Sequence, residues 1–422
     1  MNKIIYVILD GMGDLPVDSL GGKSPLEAAV KPNLDMLAKS GKMGRIIPVD
    51  KDIPPESDAA VMSLLGYDVH KFYTGRGPIE AMGAGINIRP GELAWRANFG
   101  TVNSDWKIQD RRAGRDLSDE EAEELALAVQ SEVVLDGAEF VFKHTVSHRA
   151  VLVIRDKRGY KLEANLENAD PGYRRVGNLS LAVDQPSDKV QRVVALDDSP
   201  GARRAAELSN EFLEKSFTVL ENHPINKRRK AQGKLPGNFI LIRDAGDRLP
   251  ELPSFHTQHG LNFACLVELP VEIGIAELAE LGRIKVSSQG MPTERVYEDW
   301  AEHACNAISQ YDGVYVHLKG PDIYGHDGDC MGKQDSIEKI DKHFFGTLLE
   351  YKQARDALIC VTADHSTPCA LKAHSADFPP LLLSGNSLQP DGFDTWGESV
   401  SIKGSLGIVY AKDLVSLIKT YL

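Results

Sequence analysis

Six aspartate and histidine side chains come shortly after apolar segments that have the length of β-strands. They are Asp10, Asp322, His326, Asp364, His365 and His374. In an open parallel sheet the carboxyl ends of the strands lie at one edge, where ligands bind, so residues that are distant in sequence can converge there. Three carboxylates and three imidazoles could hold two divalent cations, and this mixed set suits manganese or zinc better than calcium. The pattern therefore predicts a two-metal site.

Each of these residues also has an ordinary structural explanation. An Asp that precedes Gly, as Asp10 does, more often forms a turn, and the string that begins at Asp364 could form a turn before a proline. A lone histidine such as His374 is usually a surface or core residue. Three separate strand ends carry Asp, however, and two of them also carry His. This recurrence favours the metal site over the separate explanations.

Ser57 lies in a loop that leads into a short apolar stretch ending before Gly66. This pattern predicts a short helix with Ser57 or Asp58 as its N-cap and Gly66 just past its end. The ordinary explanation is a plain N-cap serine. A phosphoryl group on Ser57 would instead sit at a helix N-terminus, where free amides favour negative charge, and a divalent cation nearby would lower the pKa of the hydroxyl. Beside a two-metal site, a nucleophile is the better interpretation of Ser57.

Basic side chains are concentrated at 107–115 and at 226–230, and His144, His148 and Arg149 lie on or near one strand. Charge runs are usually solvated faces, and arginines are commonly just surface charge. Arginine, however, binds phosphate and carboxylate groups through two hydrogen bonds, and an acidic protein that processes a small anion needs such local cations. These residues are therefore candidates for substrate binding and proton transfer.

The apolar segments that precede the polar residues must position them. Such segments occur at 4–9, 239–242, 263–269, 313–318, 357–362 and 380–383, with helical periodicity between them. Near-continuous apolar runs of this length are typical of strands covered on both faces, as in parallel α/β sheets. Segments 94–102 and 139–154 alternate more in polarity, which favours strands with one solvated face. We predict a discontinuous α/β domain, residues 1–92 and 190–422, with a smaller α+β domain inserted at 93–189.

Composition excludes several classes of protein. The chain has 422 residues, with 48 Lys and Arg against 61 Asp and Glu and a formal net charge of −13, which disfavours non-specific binding to nucleic acid or anionic lipid. No apolar window reaches the roughly 18 residues of a membrane span. The five cysteines are scattered and contain no CxxC pair, which argues against a disulfide scaffold. The sequence therefore predicts a cytoplasmic protein without nucleic-acid or membrane partners.

Specific strings, in order along nearly the whole chain, resemble the alkaline phosphatase superfamily and, more closely, the archaeal type of 2,3-bisphosphoglycerate-independent phosphoglycerate mutase. They are VILDGMGD at 7–14, ESD at 56–58, LLGYD at 64–68, YTGRGP at 73–78, DRRAGR at 110–115, HPIN at 223–226, GHDGD at 325–329, TADHSTP at 362–368 and HSAD at 374–377. The chain departs from the pattern at Glu56, at 290–293 and at Pro321, and it retains all the metal residues. The resemblance implies an alkaline-phosphatase-like, mostly parallel sheet flanked by helices.

The resemblance also assigns roles to residues. It implies one metal site made by Asp10, Ser57, Asp364 and His365 and a second made by Asp322, His326 and His374, with Ser57 as the residue that becomes phosphorylated. It implies substrate contacts from Asp110, Arg111 and Arg229. The basic runs and the strand near His148 add Arg115, His148, Arg149 and Asn226 as candidate substrate-binding residues.

The activity that the resemblance implies is interconversion of 3-phosphoglycerate and 2-phosphoglycerate in glycolysis and gluconeogenesis, through a phosphoserine intermediate and without 2,3-bisphosphoglycerate. Mn²⁺ is the expected cation at both metal sites, with Mg²⁺, Co²⁺ and Zn²⁺ as alternatives. A metal-dependent phosphatase or phosphotransferase acting on another small phosphorylated metabolite stays open, because the metal residues do not separate these reactions. An arginine-bearing insert that retains the acceptor favours the mutase, and the sequence leaves open whether the chain forms a homo-oligomer.

Overall fold

The computed structural model describes residues 3–183, 185–286 and 290–422. The chain divides into two compact units. The first consists of Met1–Phe72, Leu252–Glu268 and Ile275–Leu422, and the second of Tyr73–Glu251 and Leu269–Gly274. None of the helices in the described ranges combines the length and the apolar character that a membrane crossing requires.

The strands of the described residues fall into three sheets. In chain order they are β1 (Ile4–Leu9), β2 (Gly41–Ile47), β3 (Leu93–Val102), β4 (Ile108–Asp110), β5 (Ala138–Val146), β6 (Arg149–Asp156), β7 (Tyr173–Val176), β8 (Leu179–Ala182), β9 (Phe239–Gly246), β10 (Phe263–Leu266), β11 (Gly282–Arg283), β12 (Gly313–Leu318), β13 (Leu358–Thr362), β14 (Pro380–Ser384) and β15 (Gly407–Tyr410). The first unit contains an eight-stranded sheet in the order β11-β10-β12-β1-β13-β14-β2-β15. Five of its seven neighbouring pairs are parallel, so the predicted mostly parallel sheet is confirmed.

Helices connect the strands of the first unit and cover its sheet. In chain order, the helices of both units are α1 (Pro25–Ala28), α2 (Pro32–Lys39), α3 (Ser57–Leu64), α4 (Val69–Phe72), α5 (Arg76–Gly83), α6 (Asp119–Glu132), α7 (Pro200–Asn222), α8 (Pro224–Ala231), α9 (Phe255–His259), α10 (Pro270–Leu278), α11 (Thr293–Ala307), α12 (Pro321–Asp327), α13 (Cys330–Lys339), α14 (Gly346–Glu350), α15 (Lys352–Arg355), α16 (Glu398–Ser401) and α17 (Ala411–Lys419). Single turns of 3₁₀ helix lie at Asp18–Leu20 and Ala113–Arg115, and a π-helical turn lies at Ile340–Phe345.

The core of the first unit explains its apolar strands. Every residue of β1, β12 and β13 is buried, as expected for strands covered on both faces. Trp300 of α11 and Phe344 pack with Val7 in this core. The buried strands form a rigid platform, and the polar residues that follow them lie at its edge.

The second unit is built around β3, which pairs with β6 on one side and with β9 on the other. Its core joins Phe99 of β3, Phe142 of β5 and Phe212 of α7. The unit therefore extends beyond the predicted insert of residues 93–189 on both sides. The apolar segment 239–242 had been expected in the parallel sheet, and that expectation was wrong because β9 runs antiparallel to β3.

Candidate functional site

The candidate site of the first unit lies at the carboxyl ends of three neighbouring parallel strands, β12, β1 and β13. Leu9 of β1 is in register with Leu318 of β12, and Ile8 is in register with Thr362 of β13. The residues that follow these strands therefore start from the same edge of the sheet. This register brings together side chains that lie more than 300 positions apart in sequence.

Four of the predicted residues lie together in an inner cluster, which consists of Asp10, Ser57, Asp364 and His365. The Nε2 atom of His365 lies 3.6 Å from Oδ1 of Asp10 and 3.2 Å from Oδ2 of Asp364. The same nitrogen lies 3.2 Å from the Ser57 hydroxyl oxygen. Asp10, Asp364 and His365 present ligand atoms that all lie within 4.8 Å of one another, a spacing that one metal ion can bridge.

The other three predicted residues form an outer cluster of Asp322, His326 and His374. Both imidazole Nε2 atoms lie 3.6 Å from Oδ1 of Asp322. The two clusters adjoin, since the rings of His374 and His365 are stacked with their centroids 3.7 Å apart. The structure thus places all seven predicted metal residues in one neighbourhood.

The donor set fits divalent cations. Oδ1 of Asp10 and Oδ2 of Asp364 are buried and have no hydrogen-bond partner within the described part of the chain. Buried carboxylate oxygens without partners are costly unless a cation balances them. The backbone of Gly11 lies close to Asp322. Gly11 has φ +60°, and a Cβ on it would lie 2.7 Å from the Asp322 carboxylate oxygen. Carboxylate with imidazole is a ligand combination suited to manganese or zinc.

Each histidine of the clusters uses Nδ1 to contact a protein oxygen and directs Nε2 toward the carboxylates. Nδ1 of His374 lies 2.8 Å from the carbonyl oxygen of Pro55, and Nδ1 of His326 lies 3.1 Å from that of Lys372. Nδ1 of His365 lies 3.0 Å from the hydroxyl of Thr367. Contacts of this kind set the orientation of metal-binding imidazoles and leave Nε2 available as the ligand.

Local charges shift the pKa values of the cluster. Burial acts to raise the pKa of Asp10, but Lys319, whose ammonium lies 2.9 Å from the carboxylate, and His317 hold it well below its ordinary value. Burial acts to lower the pKa of His374, yet Asp322 and Glu56 raise it to about 9. In the metal-free chain His374 is therefore protonated at neutral pH, and a cation must displace that proton to bind its Nε2.

Ser57 is the first residue of α3, and Glu56 is the N-cap. The prediction that Ser57 or Asp58 caps this helix was therefore wrong by one or two positions. The Glu56 side chain makes no capping hydrogen bond to the helix, and the backbone amides of the first turn favour an anion. The Glu56 carboxylate instead lies 3.8 Å from Nδ1 of His374. Pro321, another departure, takes the first position of α12, where proline is well tolerated.

Three residues of this site were not among the predicted ones. His317, on β12, lies with Nε2 3.7 Å from Oδ2 of Asp364, and Lys319 follows the same strand. Thr367 donates a hydrogen bond of 2.8 Å to Asp322. His317 and Lys319 could have been found from their position at the carboxyl end of an apolar strand, next to Asp322.

The second unit contains an arginine cluster, which we define as Arg76, Arg96, Arg149 and Arg243; all are buried except Arg149, which is half-buried. Arg96 on β3 is directly opposite Arg243 on β9, and Asn98 on β3 is opposite Arg149 on β6. Glu80 is a counter-ion, with its carboxylate 2.6 Å from Nε of Arg76 and 3.7 Å from Nε of Arg96. Burial, Arg243 and Arg76 lower the pKa of Arg96 to about 9. Such crowding of like charges favours the binding of an anion.

His148 and Arg111 belong to the surroundings of this cluster. Burial, together with Arg149 and Arg96, lowers the pKa of His148 to about 3, so its imidazole is neutral and can donate one hydrogen bond and accept another. Arg111 forms an ion pair of 2.6 Å with Asp170, and its guanidinium lies 5.1 Å from the centre of the Tyr173 ring. The Arg243 guanidinium lies 3.5 Å from the centre of that ring.

Asp110 and Arg115 are two further residues that were predicted to contact the substrate. Asp110 accepts the backbone amides of Arg112 and Gly114 and forms a turn, and the Arg115 side chain is exposed.

Asn226 is fully buried and hydrogen-bonds the backbone of Leu220 and Gly237 through both ends of its amide. Arg229 is fully buried, with its guanidinium on Glu121, Asp116 and the carbonyl oxygen of Leu235. Through these contacts Asp110, Asn226 and Arg229 hold the unit together, and their expected role as substrate contacts stays a prediction.

Comparison with known proteins gives a consistent result. Residues 38–226 match the family model described as 2,3-bisphosphoglycerate-independent phosphoglycerate mutase. Proteins of that name from Aeropyrum pernix and Methanopyrus kandleri are 42% and 40% identical to this chain; the alignments cover 96% and 99% of this chain and 96% of each relative.

Solved structures agree with these sequence matches. A cofactor-independent phosphoglycerate mutase from Thermoplasma acidophilum is 34% identical with a TM-score of 0.61, over 100% of this chain and 99% of that one. A structure of a Pyrococcus horikoshii protein is 29% identical with a TM-score of 0.77, over 100% and 97% of the two chains. The chain described here therefore belongs to the 2,3-bisphosphoglycerate-independent phosphoglycerate mutase family of isomerases.

Proposed function

We propose that this chain interconverts 3-phosphoglycerate and 2-phosphoglycerate through a phosphoserine at Ser57, as a step of glycolysis and gluconeogenesis, with two divalent cations. The observation that carries the proposal is the Ser57 hydroxyl, which lies 3.2 Å from His365 at the start of α3. Nearby are buried carboxylate oxygens that have no hydrogen-bond partner among the described residues. The family relatives are named for independence from 2,3-bisphosphoglycerate, which is consistent with a phosphoryl carrier on the protein itself.

The inner cluster of Asp10, Ser57, Asp364 and His365 would hold one cation, and the outer cluster of Asp322, His326 and His374 the other. When bound, such cations would activate the serine hydroxyl and offset the charge that develops on the transferred phosphoryl group. Mn²⁺ is the cation we expect, since the ligands mix carboxylate and imidazole. The raised pKa of His374 means that cation binding at the outer cluster is accompanied by proton release.

Ser57 would act twice in the reaction. Its hydroxyl oxygen attacks the phosphorus atom of 3-phosphoglycerate, and the bond to the substrate oxygen breaks to leave glycerate. The first-turn amides of α3 then favour the phosphoserine. After glycerate has reoriented, its 2-hydroxyl oxygen attacks the same phosphorus atom and regenerates the free serine. The reverse reaction, from 2-phosphoglycerate to 3-phosphoglycerate, uses the same groups, as an isomerase requires.

The arginine cluster would bind the carboxylate of the substrate. Arg96 and Arg243 lie opposite each other on paired strands and offer planar donor groups suited to a carboxylate. Retention of glycerate distinguishes a mutase from a hydrolase, because the acceptor must stay bound while Ser57 carries the phosphoryl group. His148, a neutral imidazole whose pKa is lowered to about 3, is too weak a base to hold the proton of the attacking glycerate hydroxyl and would instead orient that hydroxyl through a hydrogen bond.

A metal-dependent phosphatase or phosphotransferase would use the same Ser57 chemistry. The arginine cluster favours the mutase, because hydrolysis needs no group that retains the alcohol after the first transfer. The two activities differ in what becomes of the phosphoserine, which either returns its phosphoryl group to glycerate or is hydrolysed by water.

An enolase-coupled assay tests the proposal. The full chain is supplied with 3-phosphoglycerate and Mn²⁺, and formation of 2-phosphoglycerate and of inorganic phosphate is followed in parallel. We expect 2-phosphoglycerate as the product, with no requirement for added 2,3-bisphosphoglycerate. Inorganic phosphate without 2-phosphoglycerate would establish the phosphatase instead.

Ser57→Ala should abolish turnover and the acid-stable phosphoprotein formed from labelled substrate. Ser63→Ala, at a buried serine of the same helix, is the matched control and should retain both. Substantial turnover by Ser57→Ala would remove Ser57 from the mechanism.

A further inference from the structure

Asp14 and Lys333 form a fully buried ion pair in the first unit that the proposed reaction does not use. Their side chains are 0% exposed, and the Lys333 ammonium lies 2.8 Å from Oδ2 of Asp14. The same ammonium donates to the carbonyl oxygens of Gly13 at 3.0 Å and Thr367 at 2.9 Å. All three ammonium hydrogens therefore have an acceptor, and these acceptors come from two separate loops.

The pair ties together the loops that follow β1 and β13. Asp14 lies four residues after Asp10 and accepts the backbone amide of Leu15 at 2.8 Å and that of Cys369 at 3.2 Å. Lys333 reaches both loops from α13. These two loops carry the ligand residues of the inner cluster other than Ser57, so their relative position sets the cluster's geometry.

Thr367 connects the ion pair to both clusters. Its backbone is held by Lys333 through the carbonyl oxygen and by Gly13 through the amide, which donates at 3.0 Å. Its hydroxyl donates to Oδ1 of Asp322 in the outer cluster at 2.8 Å and lies 3.0 Å from Nδ1 of His365 in the inner cluster. Because the hydroxyl proton goes to Asp322, Nδ1 of His365 must carry its own proton, and Nε2 is left as the ligand atom.

We propose that the Asp14–Lys333 pair is a positioning device that sets the geometry of both metal clusters through Thr367. This inference rests on the proposed function, since it takes the clusters as cation sites. A buried ion pair is weak evidence for stability, because apolar residues of similar size often stabilise a protein as well or better. The pair does what apolar residues cannot, since one ammonium group binds carbonyl oxygens of two loops in a fixed geometry.

The test removes both charges at once, because a single substitution would leave an uncompensated buried charge and could unfold the chain. In the double variant Asp14→Asn with Lys333→Met, we expect Mn²⁺ affinity to fall roughly 10- to 100-fold, as for loss of groups that orient metal ligands. Mn²⁺ binding is measured by isothermal titration calorimetry on the full chain, beside the melting temperature and the separate values of kcat and KM. We also expect kcat to fall, and a higher Mn²⁺ concentration should restore kcat in part.

Thr367 variants give a second, independent measurement. Thr367→Val keeps the shape but removes the hydroxyl, and it should reproduce the loss of Mn²⁺ affinity. Thr367→Ser retains the hydroxyl and should keep Mn²⁺ affinity near that of the unaltered chain. Should the double variant fail to fold, these two variants decide the question, and equal Mn²⁺ affinity in both would overturn the proposal.

The matched control is Lys31→Met, which removes another buried lysine of the same unit. Lys31 pairs with Asp35 at 3.2 Å and donates to Thr395, and none of these residues contacts a cluster in the described part of the chain. It should lower the melting temperature with unchanged Mn²⁺ affinity. A folded double variant that behaves like this control, with intact Mn²⁺ affinity and kcat, would overturn the positioning role.

The two proposals fail in different ways. If the unaltered chain binds Mn²⁺ but forms no 2-phosphoglycerate, the proposed function falls and the affinity measurements still decide the role of the pair. If the unaltered chain binds no Mn²⁺ and no other divalent cation, both proposals are overturned.

Discussion

Replacing Arg96 by methionine is expected to weaken substrate binding and to stabilise the substrate-free chain. Arg96 is 6% exposed and lies opposite Arg243, with Arg76 and Arg149 nearby. Burial and these guanidinium groups lower its pKa from 12.5 to about 9. The shift corresponds to a free-energy cost on the order of several kcal/mol for the charged form in the folded chain. Glu80 would keep Arg76 at 2.6 Å, so the substitution leaves no carboxylate unpaired.

The substitution is expected to raise the stability of the substrate-free chain and to weaken substrate binding. The lowered pKa of Arg96 means that the fold disfavours its charge, so exchange for an apolar side chain is expected to stabilise the substrate-free chain, by at most about 5 kcal/mol. Loss of one hydrogen bond to a charged group costs about 1.5–3 kcal/mol, which is roughly a 10- to 150-fold rise in KM for 3-phosphoglycerate. Thermal unfolding without substrate measures the first effect, and the enolase-coupled assay measures the second.

Arg204→Met is the matched control in the same unit. Arg204 is also buried, but it lies 2.9 Å from Asp156 and 3.4 Å from Glu207, and its charge is favoured there. The control should lower the melting temperature and leave KM unchanged. If Arg96→Met behaves as Arg204→Met does, the arginine cluster is a structural ion-pair network and the reasoning is refuted.

Two further predictions concern the first unit. His326→Asn should lower Mn²⁺ affinity roughly 10- to 100-fold in calorimetry while the melting temperature of the metal-free chain changes little, and full Mn²⁺ occupancy would count against the outer cluster. Burial raises the pKa of Glu398 to about 7, against the hydrogen bond from Ser24. The folded chain therefore binds more protons at Glu398 than the unfolded chain, and stability should fall as pH rises from about 4.5 to 7. Glu398→Gln should reduce this fall, by up to about 3 kcal/mol; identical pH profiles for the two chains would contradict the argument.

The proximity of three carboxylates could be predicted from the sequence, because Asp10, Asp322 and Asp364 each come after a recognisable strand. The apolar segments before Asp10, Asp322 and Asp364 identify parallel strands, and the edge rule for parallel sheets then places the three carboxylates together. The sequence pattern does not give strand order, but any order that keeps these strands near one another brings the ligands close. The predicted proximity therefore did not depend on the strand order, whereas the division of the ligands between two sites came from the family resemblance.

The arginine cluster could not be predicted in the same way. Arg96 and Arg243 are single charges inside apolar strands, and each taken alone could be an edge residue or a paired core residue. Their proximity depends on the antiparallel register of β3 with β9, which joins residues 147 positions apart. The charge run at 226–230 instead predicts an anion-binding surface from sequence, although its Arg229 is fully buried and bound to Glu121 and Asp116.

The extent of the second unit shows why local pattern is insufficient. An apolar segment such as Phe239–Gly246 has the composition of a strand of either sheet, since burial on both faces occurs in both units. The presence of Arg243 in this segment is the informative feature. A charge within a fully buried strand must face either a counter-ion or a bound ligand, so it marks a functional surface more specifically than a longer run of exposed charge does. A chain with a net charge of −13 can therefore still bind an anion locally, and single buried charges in its apolar strands mark where such a site can lie.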